Sequence, residues 1–285
     1  MSTLAAPAPK PFASELRRWR NARRVSQLEL ALRAGTTQRH VSYMEQGRSR
    51  PGRTMVVRLA ESLELSLRER NALLFAAGYA PLFRESPVDD EALRPMRDAL
   101  AQILEGHLPY PAVVAGPTGD LIAANAAVEL LATGAAPALL EPPVNVLRLA
   151  VHPEGMASRV ENLAEWGRHI IESVRARALR SPDPRLDALL AELEGYVPPM
   201  SPGPDHVGFA VPLRLRCDEG ELRLITTLTS FATAVDVTLA EIHLEAFLPA
   251  DDATARILRE RERARRAGAT GDSLPSQLVV GSHSR

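Results

Sequence analysis

The chain has 285 residues, of which 45% are hydrophobic, with a formal net charge of −1 and a single cysteine. This length gives room for two ordinary domains, while the single Cys217 excludes a disulfide framework and a cysteine-based zinc site. The proline-broken lead "MSTLAAPAPKPF" lacks the apolar core of a signal peptide, and no run approaches about eighteen apolar residues, so we expect a soluble, cytoplasmic protein with no membrane partner.

Charge is distributed unevenly along the chain. Residues 1–84 contain 15 Lys and Arg and 6 Asp and Glu, a net charge of +9, whereas residues 85–255 contain 12 and 26, a net charge of −14. Opposite charges on adjacent segments predict two domains with different partners. A basic segment attracts a polyanion, and nucleic acid is the usual one.

The first predicted elements are short helices. In "SELRRWRNARR", Leu16 and Trp19 form an apolar stripe with arginines on the other face. The next stretch is "SQLELALRAGTTQRHVSYMEQGRSRP", where Ser26 and Glu29 have the spacing of a capping box that starts a second helix. We expect Leu28, Ala31 and Leu32 to line one face of that helix.

A sharp corner follows the second helix. Gly35 adopts a left-handed conformation at little cost, and Thr36 or Thr37 then caps a third helix whose inward residues are Val41 and Met44. Helices this short need neighbours that cover them. The stretches "TMVVRLAESLEL" and "LRERNALLFAAGY" supply two more helices, which predicts an all-helical domain over residues 10–80.

This stretch resembles a known family. If Gln27 is the first position of a helix-turn-helix, Ala31 is the fifth, Gly35 the ninth and Val41 the fifteenth. Residues 12–78 resemble the Xre family of lambda-repressor-like DNA-binding domains, with an unrelated helical protein-interaction module as the alternative. The resemblance implies that the third helix enters the major groove of DNA.

The resemblance also implies roles for particular residues. Arg39 would bind guanine O6 and N7, and Gln38 would bind adenine N6 and N7. Tyr43 would reach a thymine methyl group or a phosphate, and Arg20 and Glu45 would form a structural ion pair. The full set of expected DNA-binding residues is Gln27, Thr37, Gln38, Arg39, Tyr43, Arg48, Arg50 and Arg53, of which Gln27 and the last three arginines would contact phosphates.

A different pattern begins after the linker "GYAPLFRESPVDDEAL". The segment "EALRPMRDALAQILEGH" predicts an amphipathic helix, and "YPAVVAGPTGDLIAAN" predicts a strand, a tight turn and a second strand. A helix at "AAVELLAT", capped by Asn125, and helices over residues 157–180 and 183–195 follow.

The end of this second domain is rich in predicted strands. The segments "HVGFAVPLRLRC" and "ELRLITTLTSF" form a hairpin, and "EIHLEAFL" alternates like a half-exposed strand with Leu244 inward. His243 lies between two glutamates, a pattern that also suggests a metal site, but strand alternation explains it as a solvated face. Two strands, a helical insert and three strands predict an antiparallel sheet with helices on one side, an α+β domain.

Residues 90–255 resemble a second family. The segments "PAVVAGPTGDLIAANAAVELL", "NVLRLAVHP", "LAEWGRHIIESVRARA" and "DVTLAEIHLEAFLPAD" resemble the ligand-binding domain of MmyB-like transcription regulators, a PAS-like fold. The resemblance implies a pocket for a small apolar molecule, a fatty acid or similar lipid. We expect its wall to contain inward apolar residues of the strands and helices: Val113, Ile122, Leu130, Ile170, Leu213, Leu224 and Leu244.

These observations predict a multidomain chain, with an all-α helix-turn-helix domain, an α+β PAS-like domain, a charged helix and a disordered tail over residues 267–285. We expect a sequence-specific transcription regulator that binds duplex DNA as a homodimer, because one recognition helix reads few base pairs, and that senses a small molecule. Two alternatives stay open. One is a DNA-binding regulator whose second domain binds a protein, as in an antitoxin or anti-repressor scaffold, and the other is an enzyme fused to a DNA-binding domain, although no catalytic motif is present.

Overall fold

The computed structural model describes residues 11–180, 183–199, 211–231 and 233–268, and these form two compact units. The helical unit contains the described residues up to Ser86 together with Thr233–Ala240, and the sheet unit contains the described residues from Pro87 onward apart from that segment. The sequence assigned 233–240 to the second domain, so their place in the helical unit is a departure from expectation. In the described ranges, no helix is long and apolar enough to cross a membrane.

Five α-helices form the N-terminal part of the helical unit, as the sequence predicts. They are α1 (Phe12–Ala22), α2 (Gln27–Arg33), α3 (Gln38–Glu45), α4 (Arg53–Ser62) and α5 (Leu67–Ala76). Leu16, Trp19, Val41 and Met44 are all buried in one core, which confirms the predicted inward faces of α1 and α3.

The inward face of α2 differs from the prediction. Leu30 and Ala31 are buried, whereas Leu28 is 52% exposed and Leu32 is 73% exposed. Leucines alternate with other residues at 28, 30 and 32, and a helix of seven residues makes only two turns, so two different stripes fit the pattern. The neighbouring helices therefore select the buried stripe.

Helix caps set the corner between α2 and α3. The Ser26 side chain accepts a hydrogen bond from the Glu29 amide, but the reciprocal half of the predicted capping box is replaced by an ion pair between Glu29 and Arg33. Gly35 has φ of +63°, and the amides of Gly35 and Thr36 donate to Leu32 and Ala31 carbonyls, which closes α2 with a Schellman motif. The Thr37 side chain accepts a hydrogen bond from the His40 amide and so caps α3. Of the two predicted caps, Thr36 and Thr37, the second is therefore the N-cap.

The sheet unit is α+β, with a five-stranded antiparallel sheet in the order β2-β1-β5-β4-β3. The strands are β1 (Ala112–Ala115), β2 (Leu121–Ala124), β3 (Leu213–Cys217), β4 (Gly220–Ser230) and β5 (His243–Pro249). Its helices are α6 (Arg94–Gly106), α7 (Glu129–Ala132), α8 (Val146–Val151), α9 (Leu163–Arg180), α10 (Pro184–Tyr196) and α12 (Asp252–Gly268). Helix α11 (Val237–Glu241) lies between β4 and β5 in sequence, and its residues up to Ala240 belong to the helical unit. The expected tail lies outside the described residues except for the last residues of α12.

The central position of β5 overturns the prediction of a half-exposed strand. It pairs with β1 along one edge and with β4 along the other, and both of its faces are covered, since His243 and Phe247 are buried on one face and Leu244 and Ala246 on the other. His243 is buried rather than solvated, and its Nε2 lies 3.2 Å from Glu245 Oε1. The described residues contain no cluster of three or more groups that could hold a metal ion.

Asn125 has a structural role other than the predicted helix cap. Its side chain makes no cap hydrogen bond. Instead the buried amide accepts from the Ala112 amide and donates to the carbonyls of Leu104 and Tyr110. Asn125 therefore connects α6 to β1 in the interior of the sheet unit, where each of these polar groups needs a partner.

Candidate functional site

The exposed N-terminal half of α3 contains the residues expected to read bases. Val41 and Met44 are completely buried and fix the orientation of the helix, while Thr37, Gln38 and Arg39 are exposed. The N-cap role of Thr37 places its side chain at the start of the helix. The helical unit therefore presents short polar and cationic side chains on the surface that a groove would contact.

Arg39 and Tyr43 form a pair on this surface. Arg39 Nε donates to Tyr43 Oη at 2.9 Å, and the guanidinium lies 5.2 Å from the centre of the tyrosine ring. Both Nη groups of Arg39 are without a partner among the described residues. Tyr43 thus restricts the guanidinium while leaving free the end that matches the two acceptors of guanine.

A buried carboxylate connects α1, α2 and α3. The Glu45 side chain is 0% exposed. Its Oε1 accepts a hydrogen bond from Arg20 Nε at 2.6 Å, and its Oε2 accepts one from Arg20 Nη2 at 3.0 Å. Gln27 Nε2 also donates to Glu45 Oε2, at 2.7 Å. The predicted ion pair is present, and Gln27, the expected phosphate contact, is held at the first position of α2 by the same carboxylate.

The three arginines after α3 are exposed. Arg48 follows Gly47, whose φ of +70° turns the chain out of the helix, and Arg53 is the first residue of α4. In the part of the chain that the structure describes, Arg48, Arg50 and Arg53 make no side-chain hydrogen bond or ion pair. Their charges are therefore available to a polyanion, as expected for phosphate contacts.

The sheet unit contains a cavity of about 310 Å³ between β1, β4, β5 and the helices α7, α8 and α9. Its wall is mainly apolar and includes one indole and one thioether. The lining residues are Val113, Val128, Leu131, Val146, Leu147, Leu149, Ala150, Met156, Trp166, His169, Ile170, Ser173, Arg177, Val211, Ile225, Thr226, Leu228, Glu245 and Phe247.

Of the residues expected to form the pocket, Val113 and Ile170 lie on the cavity wall. The others do not line the cavity: Ile122, Leu130, Leu213, Leu224 and Leu244. The error for Leu244 has a geometric cause, because successive residues of a strand point to opposite faces and Glu245 and Phe247 form the cavity face of β5.

The remaining displaced residues lie in or beside the core. Leu213 and Leu224 pair with one another and are completely buried in the hydrophobic core. Leu130 is buried too, and its neighbour Leu131 lines the cavity instead. Ile122 lies on β2, a strand at the edge of the sheet, away from the cavity wall.

One arginine enters the cavity wall from α9. Arg177 Nη1 donates to the Pro117 carbonyl at 2.9 Å, and Arg177 forms no ion pair with a described residue. Burial lowers the pKa of the Arg177 guanidinium, an effect that the charge of Glu245 partly opposes. Composition gave no signal for this residue, but its spacing from Ile170 and Ser173 along one helix face could have found it.

Comparisons with known proteins agree with both halves of this description. A family model described as MmyB-like transcription regulator ligand binding domain matches residues 96–260, which is 165 of the 285 residues. A family model described as helix-turn-helix matches residues 16–70.

Individual proteins are less similar to this chain. No curated protein matches it. A solved structure titled as an RNA-binding light-oxygen-voltage receptor is 16% identical, with a TM-score of 0.29. The match covers 90% of this chain and 63% of the receptor chain, so this chain spans less than two thirds of that protein.

Proposed function

Because the chain belongs to the MmyB-like transcription regulators, with a DNA-binding helix-turn-helix and a ligand-binding domain, we propose that a small, mainly apolar acid controls its binding to specific duplex DNA. The ligand occupies the cavity of the sheet unit, and the protein acts in the cytoplasm. Both matched regions are regulatory, and the proposal contains no catalytic step.

The DNA-binding half of the proposal depends on the surface of α3. Gln38 and Arg39 supply base readout, and Tyr43 restrains Arg39. Exposed arginines after α3 and the oriented Gln27 supply phosphate contacts, which position the helix without reading sequence. Because α3 has only eight residues, a homodimer on a two-fold operator supplies the remaining specificity.

The ligand half depends on the cavity. Its volume of about 310 Å³ is at the low end of the range for small-molecule pockets, roughly 300 to 1,000 Å³, and its wall is mainly aliphatic. A flexible hydrocarbon chain of moderate length suits such a wall, because apolar area removed from water contributes about 25 cal/mol per Å². A fatty acid or similar lipid has this chemistry.

Arg177 is the observation that favours an acid over a neutral lipid. A partly buried guanidinium has five donors, and the described structure uses one of them for the Pro117 carbonyl. A carboxylate satisfies two more donors in a bidentate, charge-assisted pair. Glu245 also lines the cavity and opposes an acid by its own charge, but Arg177 is the arginine among the lining residues and supplies the donors that a carboxylate needs.

Calorimetric titration with dodecanoate and with dodecanol tests this assignment. We expect the wild type to bind dodecanoate more tightly than the alcohol, and Arg177→Gln to remove that preference while retaining the affinity for dodecanol. Arg180→Gln is the matched control, since Arg180 is exposed on the same helix outside the cavity wall.

Two results would contradict the proposal. If neither compound binds, and native mass spectrometry with lipid extraction finds no species in the purified protein, the cavity does not hold a lipid. If Arg177→Gln prefers the acid as strongly as the wild type does, the ligand binds but Arg177 does not recognise its head group.

A further inference from the structure

Part of the connection between β4 and β5 belongs to the helical unit and not to the sheet unit that contains the two strands. Strand β4 ends at Ser230 and β5 begins at His243, and between them Thr233–Ala240 belongs to the helical unit. There it contacts the linker that follows α5. We call the contacting residues Arg84, Ser86, Asp236, Val237 and Thr238 the linker clasp.

Three hydrogen bonds join the two segments of the linker clasp, the linker after α5 and the connection between β4 and β5. The Val237 amide donates to the Arg84 carbonyl at 2.8 Å, and the Ser86 amide donates to Asp236 Oδ2 at 3.2 Å. Thr238 Oγ1 donates to the Ser86 carbonyl at 2.7 Å. Main-chain groups of the linker thus have partners more than a hundred residues away in sequence, one of them a main-chain amide and two of them side chains.

Asp236 is the residue on which the linker clasp depends. It is only 8% exposed, and its two carboxylate oxygens have different roles. Oδ1 accepts from the Thr238 amide at 2.9 Å and so caps α11, whereas Oδ2 accepts from the Ser86 amide. One side chain therefore folds the β4–β5 connection and also attaches it to the linker.

The linker is also attached to α5, the helix that precedes it in sequence. Asn71, on α5, donates from Nδ2 to the Phe83 carbonyl at 2.8 Å. Its Oδ1 accepts from the amides of Leu82 and Phe83 at 2.9 and 3.0 Å. The linker is therefore attached to α5 through Leu82 and Phe83 and to the clasp segment through Arg84 and Ser86.

The strands that flank the linker clasp form part of the cavity wall. Ile225, Thr226 and Leu228 of β4 line the cavity, as do Glu245 and Phe247 of β5. The two strands remain paired as far as Ser230 and His243, at the base of the connection. Both ends of the clasp segment are therefore continuous in sequence with strands of the cavity wall.

We propose that the linker clasp couples occupancy of the cavity to the DNA-binding helical unit, an inference that rests on the function proposed above. A ligand acts on DNA binding only if it favours one of two arrangements of the protein. The clasp supplies an element that both sites influence, since β4 and β5 contact the ligand and the linker contacts α5. The ligand shifts the strands, and the clasp holds or releases the linker accordingly.

Paired variants test the linker clasp. Asp236→Asn keeps an acceptor oxygen for the α11 cap but replaces the acceptor of the Ser86 amide with a donor. Thr238→Val removes the hydrogen bond to the Ser86 carbonyl, and Thr229→Val makes the same substitution at an exposed position of β4, outside the clasp. For each protein we would measure the dissociation constant for a duplex selected by the wild type from a random pool, with and without saturating dodecanoate.

We expect dodecanoate to change the wild-type and Thr229→Val constants by about 5- to 150-fold, a typical allosteric coupling. In Asp236→Asn and Thr238→Val the ratio should fall toward one, while dodecanoate still binds with its wild-type affinity. Amide exchange at Ser86 and Val237 should be faster in Asp236→Asn, which reports release of the linker directly.

The outcomes separate the two proposals. A wild type that binds DNA equally well with and without dodecanoate overturns the proposed ligand control, and the coupling role of the clasp fails with it. A wild type that responds, together with clasp variants that respond to the same extent, overturns the clasp alone. Clasp variants that melt at a lower temperature but keep the wild-type ratio of the two dissociation constants also overturn the clasp alone, because the clasp then has a purely structural role.

Discussion

Arg20 and Glu45 form a two-point ion pair in the helical unit, with the glutamate side chain 0% exposed and the arginine side chain 14% exposed. Because Glu45 also accepts from Gln27, one carboxylate connects the first helix, the recognition helix and the expected phosphate contact. We therefore expect the pair to support the architecture of the DNA-binding surface without reading bases.

Stability is the first property that should change when this pair is broken. Arg20→Ala leaves the buried carboxylate of Glu45 with only the exposed Arg17 as a cation, 3.8 Å from Glu45 Oε2, and a fully uncompensated buried charge costs about 3 to 5 kcal/mol. Glu45→Ala should likewise lower the melting temperature of the helical unit before it changes sequence preference. Thermal unfolding checks both variants, with Arg33→Ala as the control, because its exposed pair with Glu29 contributes only about 0.3 to 0.5 kcal/mol. A Glu45→Ala protein that melts like the wild type but selects a different operator would show that the residue reads DNA.

Base readout should depend on Arg39. A bidentate contact with guanine discriminates by about 1 to 3 kcal/mol, so Arg39→Ala should relax the preference at a single operator position by roughly five- to 150-fold. Non-specific affinity should change much less. Selection from a random duplex pool with both proteins checks this expectation, and identical preferred sequences would remove Arg39 from the readout.

Tyr43 should act partly through Arg39. Tyr43→Phe removes the oxygen that accepts from Arg39 Nε but keeps the ring, so the guanidinium loses one restraint and retains its stacking. We expect weaker discrimination at the operator position that Arg39→Ala relaxes, and little further loss in the double variant. An additive double variant would instead mean that Tyr43 contacts DNA independently of Arg39.

Phosphate contacts should appear in the salt dependence of binding. Replacing Arg50 or Arg53 with alanine should weaken specific and random duplexes alike and reduce the slope of log K against log salt by about 0.9 per lost contact. Titrations at several salt concentrations measure this slope. A variant with a wild-type slope and altered sequence preference would place its arginine among the base-reading residues.

Local signals explain why the helix-turn-helix could be predicted closely from sequence. Gly35 needs a left-handed conformation, Thr37 caps α3, and Val41 and Met44 fill the core, all within one short stretch. The face of α2 was wrong because Leu28 and Leu30 both fit an apolar stripe, and only packing against other helices distinguishes them.

The cavity was harder to predict because strand order is not a local property. Alternation in β5 correctly indicated a strand, but both faces of this central strand are buried by packing, and the cavity lies on the face of Glu245 and not on that of Leu244. The same limit applies to Asp236, since no local pattern indicates that its partner is Ser86.

The decisive measurement for ligand control of DNA binding is the effect of a cavity ligand on DNA affinity. Binding of a selected duplex should be measured for the wild type and for Ser173→Trp, which adds an indole at an exposed position of the cavity wall. Ligand control of DNA binding predicts that dodecanoate changes the wild-type affinity by about 5- to 150-fold and leaves the affinity of Ser173→Trp unchanged. Equal affinity of the wild type with and without bound dodecanoate would contradict it.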